Sequence, residues 1–181
     1  MGYLLGLCAF ALFFLNDYND WRLGRKALHV CFPIGAVLLV IGTVVEISRG
    51  EPLAKGWLRG GFVALAVLFL VLLAYTLFFA IPVEASYARP GEKRSVCTTG
   101  VYALCRHPGV LWFIGLYLSL WAAAGIPLWE AVLFSGLNVC LVWFEDRCVF
   151  PEKLEGYGAY QKATPFLLPT WQSIRDCIKT I

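Results

Sequence analysis

The sequence predicts an all-α, polytopic bundle of membrane helices. About five helices cross, the last two as a tight hairpin, and a further interfacial helix lies near the C-terminus on the cytosolic face. Three observations predict it. Of the 181 residues, 60% are hydrophobic and only 15% charged, and mean hydropathy is +0.71, outside the composition of ordinary water-soluble domains. The apolar residues fall in runs that can be measured against a hydrocarbon core of about 30 Å, which takes roughly 20 helical residues to cross. The basic residues are unevenly divided among the segments that join those runs.

Taken in order, the first run is Tyr3 to Leu15, the shortest, ending in the polar patch NDYND. It has no basic flank before it and no small-residue cleavage site after it, so it reads as a retained helix rather than a secretory signal. The second run extends from Ala27 to Ile47, and the third from Gly61 to Val83 without a charge. A fourth starts at Pro108, which suits a first helical turn because the missing N–H costs nothing there, and ends near Gly125. The fifth runs from Pro127 to Phe144. Only Gly125 and Ile126 separate the last two, which predicts the hairpin and puts Glu130 at its lip.

Five crossings place the two ends of the chain on opposite sides. One side collects Arg22, Arg25, Lys26, Arg89, Lys93, Arg94, Arg106, Arg147, Lys153, Lys162, Arg175 and Lys179, and the other only Arg49, Lys55 and Arg59. The positive-inside rule then puts the N-terminus outside and the tail in the cytosol. Segments 84–107 and 145–169 come to share the cytosolic face, where they can build one site.

Several chemistries are excluded. The seven cysteines show no CxxC or Cys/His ligand spacing and read as reduced and mostly structural. Two histidines, His29 and His107, are too few for a histidine-built metal centre. No metal and no nucleic acid is expected, and no GxGxxG, Walker or GxSxG motif is present. The oligomeric state stays open.

The segment VCTTGVYALCRHPGVLW sets Arg106 and His107 immediately before the fourth run. One reading is interfacial, with long or amphipathic side chains keeping their polar ends in water. The other is a site, because ionisable groups at a helix mouth inside a polar cleft are expensive to keep, and an Arg can fork onto a carboxylate. Likewise Glu145 reads either as a solvated helix end or as a ligand-binding carboxylate. Tyr157 and Tyr160, with Phe166, Leu167, Leu168 and Trp171 behind them, read as an interfacial anchor or as a lid. Pro165 and Pro169 end that helix.

GVYALCRHP resembles the GxYxxxRHP motif of the isoprenylcysteine carboxyl methyltransferase and phospholipid methyltransferase superfamily, small integral membrane enzymes that use S-adenosylmethionine. The block EDRCVFPEKLEGYGAYQKATPFLLP resembles that family's second motif, with Glu145, Asp146, Tyr157, Tyr160, Thr164, Pro165 and Pro169 at the family spacing. The resemblance covers roughly residues 61–171. It implies a single membrane domain over 1–181, with variable N-terminal helices in 1–60 and a methyltransferase-like core in 61–171.

The implied activity is methyl transfer from S-adenosylmethionine to a lipophilic or membrane-delivered acceptor, such as a lipid amine, a carboxylate or a thiol. Implied at the reaction centre is Arg106, and implied around the cofactor are Val96, Cys97, Tyr102, His107, Pro108, Gly109 and Glu145. The chain departs from the pattern at Val110 and Trp112 after RHP and at Lys153-Leu154. It departs also at Leu141, where members acting on prenylcysteine carry Arg. The alternatives are a sterol-reductase-like enzyme using NADPH and a non-catalytic membrane homologue with a degenerate pocket.

Overall fold

The computed structural model describes residues 1–80 and 93–180. Helix α1 (Gly2–Tyr18) continues into a π-helical turn, Asn19–Leu23, that stops at the left-handed Gly24. The fully buried Asn19 closes this corner: its Oδ1 accepts the Arg25 N–H at 2.8 Å and its Nδ2 donates to the Arg25 carbonyl at 3.1 Å. A 3-10 turn then leads into α2 (Cys31–Arg49), and α3 spans Gly56–Phe78. The rest of the order is β1 (Arg94–Ser95), α4 (Val101–Leu104), α5 (Pro108–Ala124), α6 (Leu128–Phe144), a π-helical turn (Glu145–Val149), α7 (Phe150–Lys153), β2 (Leu154–Glu155), α8 (Tyr157–Ala163) and α9 (Trp171–Thr180).

Three helical stretches, Lys26–Arg49, Gly56–Phe78 and Leu128–Lys153, are long and apolar enough to cross a membrane. α1 and α5, at 17 residues each, are shorter. The third helix begins five residues before the expected Gly61. Arg59 can sit in its opening turns because its Nε–H donates to the Ala123 carbonyl at 3.1 Å. The expected end of that run, Val83, lies outside the described residues.

Despite its length, α1 stands at the centre of the core. Its Phe10 and Phe13 pack with Phe113 and Tyr117 of α5 and Phe134 of α6, Phe10 meeting Phe113 edge-on with ring centroids 6.2 Å apart. α1 packs along α2, α3 packs along α5, and α6 joins the two pairs. Gly2 and Gly42 let α1 and α2 approach closely, since a Cβ on either would strike the carbonyl oxygen of the other. Small residues at helix crossings allow such contact. Gly125, at φ 75°, caps α5 and makes the hairpin turn against the backbone of Glu51.

The hairpin differs from expectation in one respect. Glu130 is not at its lip but inside the bundle, with none of its surface exposed. The first turn of α6 points this side chain inward, one turn above the buried Phe134.

The described corners sort to two ends. Ala54 N–H to the Ala122 carbonyl (2.9 Å) gathers the 50–56 corner and the hairpin turn at one end. At the other, Trp21 Nε1–H donates to Glu152 at 3.1 Å and packs edge-on against Phe144. β1 pairs there with β2 in parallel, Arg94 opposite Leu154. Segments 93–107 and 145–169 therefore do share one end.

Candidate functional site

The centre of that end is Asp146, 2% exposed. The π-helical turn after α6 widens the helix and directs this carboxylate inward. Its Oδ1 accepts from Arg106 Nε (2.7 Å) and from the Tyr157 hydroxyl (2.6 Å), and lies 3.3 Å from His107 Nε2. Its Oδ2 accepts from Arg106 Nη2 (3.1 Å) and Gln161 Nε2 (3.2 Å). Arg106 and Asp146 thus meet fork to fork, the geometry that makes guanidinium–carboxylate pairs strong and specific. The remaining nitrogen, Arg106 Nη1, donates to the carbonyls of Gln161 (3.0 Å) and Thr164 (2.6 Å), and the Arg106 backbone N–H to Pro165 (2.9 Å). One arginine clasps the two sequence blocks together.

That placement decides between the readings of the pair. Arg106 and His107 are not interfacial: their side chains are 10% and 5% exposed, and the anion they meet is the protein's own. Arg106 has its Nε–H, both Nη1–H groups and one Nη2–H engaged, so the geometry gives it a positioning role. The His107 ring lies parallel to Phe150 at 5.9 Å and edge-on to Phe166 at 5.1 Å. Burial drives its pKa below the ordinary histidine value, against the pull of Asp146. The neutral imidazole therefore carries its proton on Nε2, the only arrangement a carboxylate can accept.

The other expected residues are distributed around this clasp. The Val96 N–H donates to the Glu155 carbonyl at 3.2 Å, extending the β1–β2 pairing. Tyr102 donates its hydroxyl to the Thr76 carbonyl at 3.1 Å and accepts the Tyr160 hydroxyl on its own carbonyl at 2.6 Å. Burial first, then Cys97 and Glu145, push the Tyr102 hydroxyl up to about 12. These three are thus brought together. Pro108 is fully buried at the start of α5, and Gly109 faces Leu73 and Thr76 of α3.

Glu145 differs from its neighbour. Among the described residues its half-buried carboxylate makes no hydrogen bond or ion pair, and it faces Asp17, Asp20 and Asp146. Asp17 is itself 7% exposed, with Oδ2 unpartnered. The result is an acidic recess next to Tyr102. Asp17 and Asp20 of the NDYND patch, which face Glu145, and Asp146 and Gln161 of the clasp were not among the expected site residues. An Arg-His pair needing an anion, with Asp146 in the next polar segment on the same side, was the signal for the hub.

One expectation changes here. Tyr157 and Tyr160 are not surface anchors: they are 3% and 5% exposed and hydrogen-bonded inward, whereas Leu168 and Trp171 are 76% and 70% exposed. The departures from the family pattern have structural employment. Val110 is buried at 2%, Trp112 Nε1–H donates to Thr76 Oγ1 at 3.1 Å, and Leu154 pairs with Arg94. A cavity of about 380 Å³ opens beside Tyr160, lined by Thr98, Ala103, Thr164, Ser173 and Asp176 among others, with no basic residue among the described ones.

Fold and site together define a helical bundle, three of whose helical stretches are long and apolar enough to cross a membrane, with a clasped Arg-His/Asp-Tyr centre and an acidic recess at one end. Comparison with protein-family models, curated proteins and solved structures finds no match for this chain.

Proposed function

We propose that this chain is an S-adenosylmethionine-dependent methyltransferase of the isoprenylcysteine carboxyl methyltransferase and phospholipid methyltransferase superfamily, acting on a lipophilic or membrane-delivered acceptor. In this reading five helices cross the bilayer, the N-terminus is outside, and the site faces the cytosol. One observation carries the reading. The two blocks that resemble the family's motifs dock on each other through Arg106 and Asp146, and among the described residues the carboxylate of Glu145 beside Tyr102 has no hydrogen-bond partner. An acidic recess whose neighbouring Arg106 is already engaged suits a ligand that brings positive charge. NADPH is disfavoured because its extra phosphate calls for a basic cluster, and only Arg89, Lys93 and Arg94 stand near in the sequence.

The cofactor would supply a methyl group already activated on a sulfonium. What remains for the protein is to position the reactants and exclude water. Glu145 accepts N–H or O–H bonds, which are strong when the acceptor is charged. Tyr102 and Cys97 wall the recess. Arg106, through Asp146 and the carbonyls of Gln161 and Thr164, holds α8 against the 94–107 segment. His107, neutral and packed between Phe150 and Phe166, keeps a second positive charge away from the recess.

Calorimetric titration of the detergent-solubilised protein tests this reading with S-adenosylhomocysteine and NADPH in parallel. Binding of the first alone supports it. Binding of NADPH alone would replace it with the reductase-like reading, and binding of neither with a non-catalytic homologue.

A further inference from the structure

At the end of the bundle away from the recess, Glu130 is wholly buried, and among the described residues neither of its carboxylate oxygens has a hydrogen-bond partner. Buried polar groups are normally paired, and an exception calls for an explanation such as an ion or a water. The neighbours sharpen the question because they too offer oxygen lone pairs. The single hydroxyl proton of Thr43 goes to the Leu39 carbonyl at 2.8 Å. In the 2.7 Å contact between Thr43 and Tyr117 the tyrosine must then be the donor. Tyr117, buried and facing Glu130, is left with only lone pairs to offer it. The charged groups that face Glu130 are Glu46 of α2 and the Met1 amino group. Glu46 is already served, accepting the Tyr3 N–H at 3.1 Å and lying 3.6 Å from the Met1 nitrogen.

We infer that Glu130, with the Tyr117 hydroxyl and Glu46, forms a binding site for one small hard monovalent cation of the sodium type. Oxygen ligands alone select hard cations. A single carboxylate whose nearest cation, the Met1 amino group, is held by Glu46 calls for a single positive charge. Among the described residues no group of three or more His, Cys, Asp and Glu side chains could hold a metal, so a multivalent or transition ion lacks its donors. This site is independent of the proposed methyltransferase activity.

The test uses the full chain in detergent, in sodium chloride or in choline chloride at equal ionic strength. A hydrophobic carbodiimide modifies Glu130 when its carboxyl is protonated, and mass spectrometry reads the extent. Sodium should slow that modification saturably, about tenfold when present at ten times its dissociation constant, and should raise the unfolding midpoint. Glu130→Gln should abolish the sodium-dependent rise. Tyr117→Phe should shift the half-maximal sodium concentration upward without changing the modification rate in choline. Equal modification in the two salts would show a neutral acid in place of a cation site and overturn the proposal. So would the absence of both modification and a sodium-dependent midpoint. The labelling comparison on the wild-type chain stands even where a variant fails to fold.

Discussion

Asp146 and Glu130 are carboxylates at opposite ends of the same bundle, 2% and 0% exposed, and they differ in what surrounds them. Around Asp146 the chain assembles donors from three places: Arg106 and His107 before α5, and Tyr157 and Gln161 from α8. Glu130 meets a hydroxyl whose proton is committed elsewhere, another acid, and an amino group held by that acid. Burial alone therefore does not say what a carboxylate does. The donors within reach decide whether it is a structural hub or an open position.

Neutralising each acid breaks or sharpens that contrast most directly. Asp146→Asn removes the charge that Arg106 faces in a site where the arginine is 10% exposed. Breaking a buried pair from one side costs about 3–5 kcal/mol, so the unfolding midpoint should drop sharply or the protein fail to accumulate. Glu130→Gln, measured in choline, replaces a buried carboxyl that has no hydrogen-bond partner among the described residues and should leave the midpoint unchanged or raise it. Equal losses in the two variants, followed by thermal unfolding in detergent, would erase the distinction.

Glu145 sharpens the contrast within the recess itself. Next to the saturated Asp146 it keeps its acceptors open among the described residues. Glu145→Gln should weaken S-adenosylhomocysteine binding roughly ten- to a hundredfold, the equivalent of a charge-assisted hydrogen bond of about 1.5–3 kcal/mol. Its unfolding midpoint should hardly move. A lost midpoint with unchanged affinity would return Glu145 to the role of a helix end.

How much of this was legible in the sequence depended on the range of the interaction. The helices were readable because apolar run length and the Gly125–Pro127 break are local, and their ends moved by only a few residues, as at Gly56. Glu130 was misplaced because the hairpin fixes where the turn falls but not which face of the next turn points inward. The Arg106–His107 pair was readable as standing at a helix mouth, before Pro108. Its partner was not, because Asp146 is 40 residues away and reaches Arg106 only through the π-helical turn at Glu145–Val149. Asp17 and Asp20 were visible as a polar patch, but nothing local shows that α1 brings them to face Glu145.

The pH dependence of stability tests the hub from another side. Burial lowers the His107 pKa below its unfolded value of 6.5, so the folded state binds fewer protons than the unfolded one in that range. Stability is therefore fully present above about pH 6.5 and is lost as pH falls from there toward the folded pKa, by at most about 1.4 kcal/mol per pH unit. His107→Gln should flatten that part of the curve. A wild-type profile already flat between pH 7 and 5 would mean that the imidazole titrates alike in both states.

The smallest effect is expected at Tyr160. As an interfacial tyrosine it would keep its hydroxyl in water, and Tyr160→Phe would change nothing measurable. In the structure the hydroxyl is buried and donates to the Tyr102 carbonyl at 2.6 Å. Deleting it removes one neutral hydrogen bond and leaves a carbonyl short of a donor, a loss of about 0.5–1.5 kcal/mol. The expected result is a small fall in unfolding midpoint with the ring still packed against Tyr157, whose centroid is 5.9 Å away. Because the phenyl ring preserves that packing, any loss reports the hydroxyl alone. An unchanged midpoint would detach α8 from the 94–107 segment at this point and leave Arg106 as the sole clasp between them.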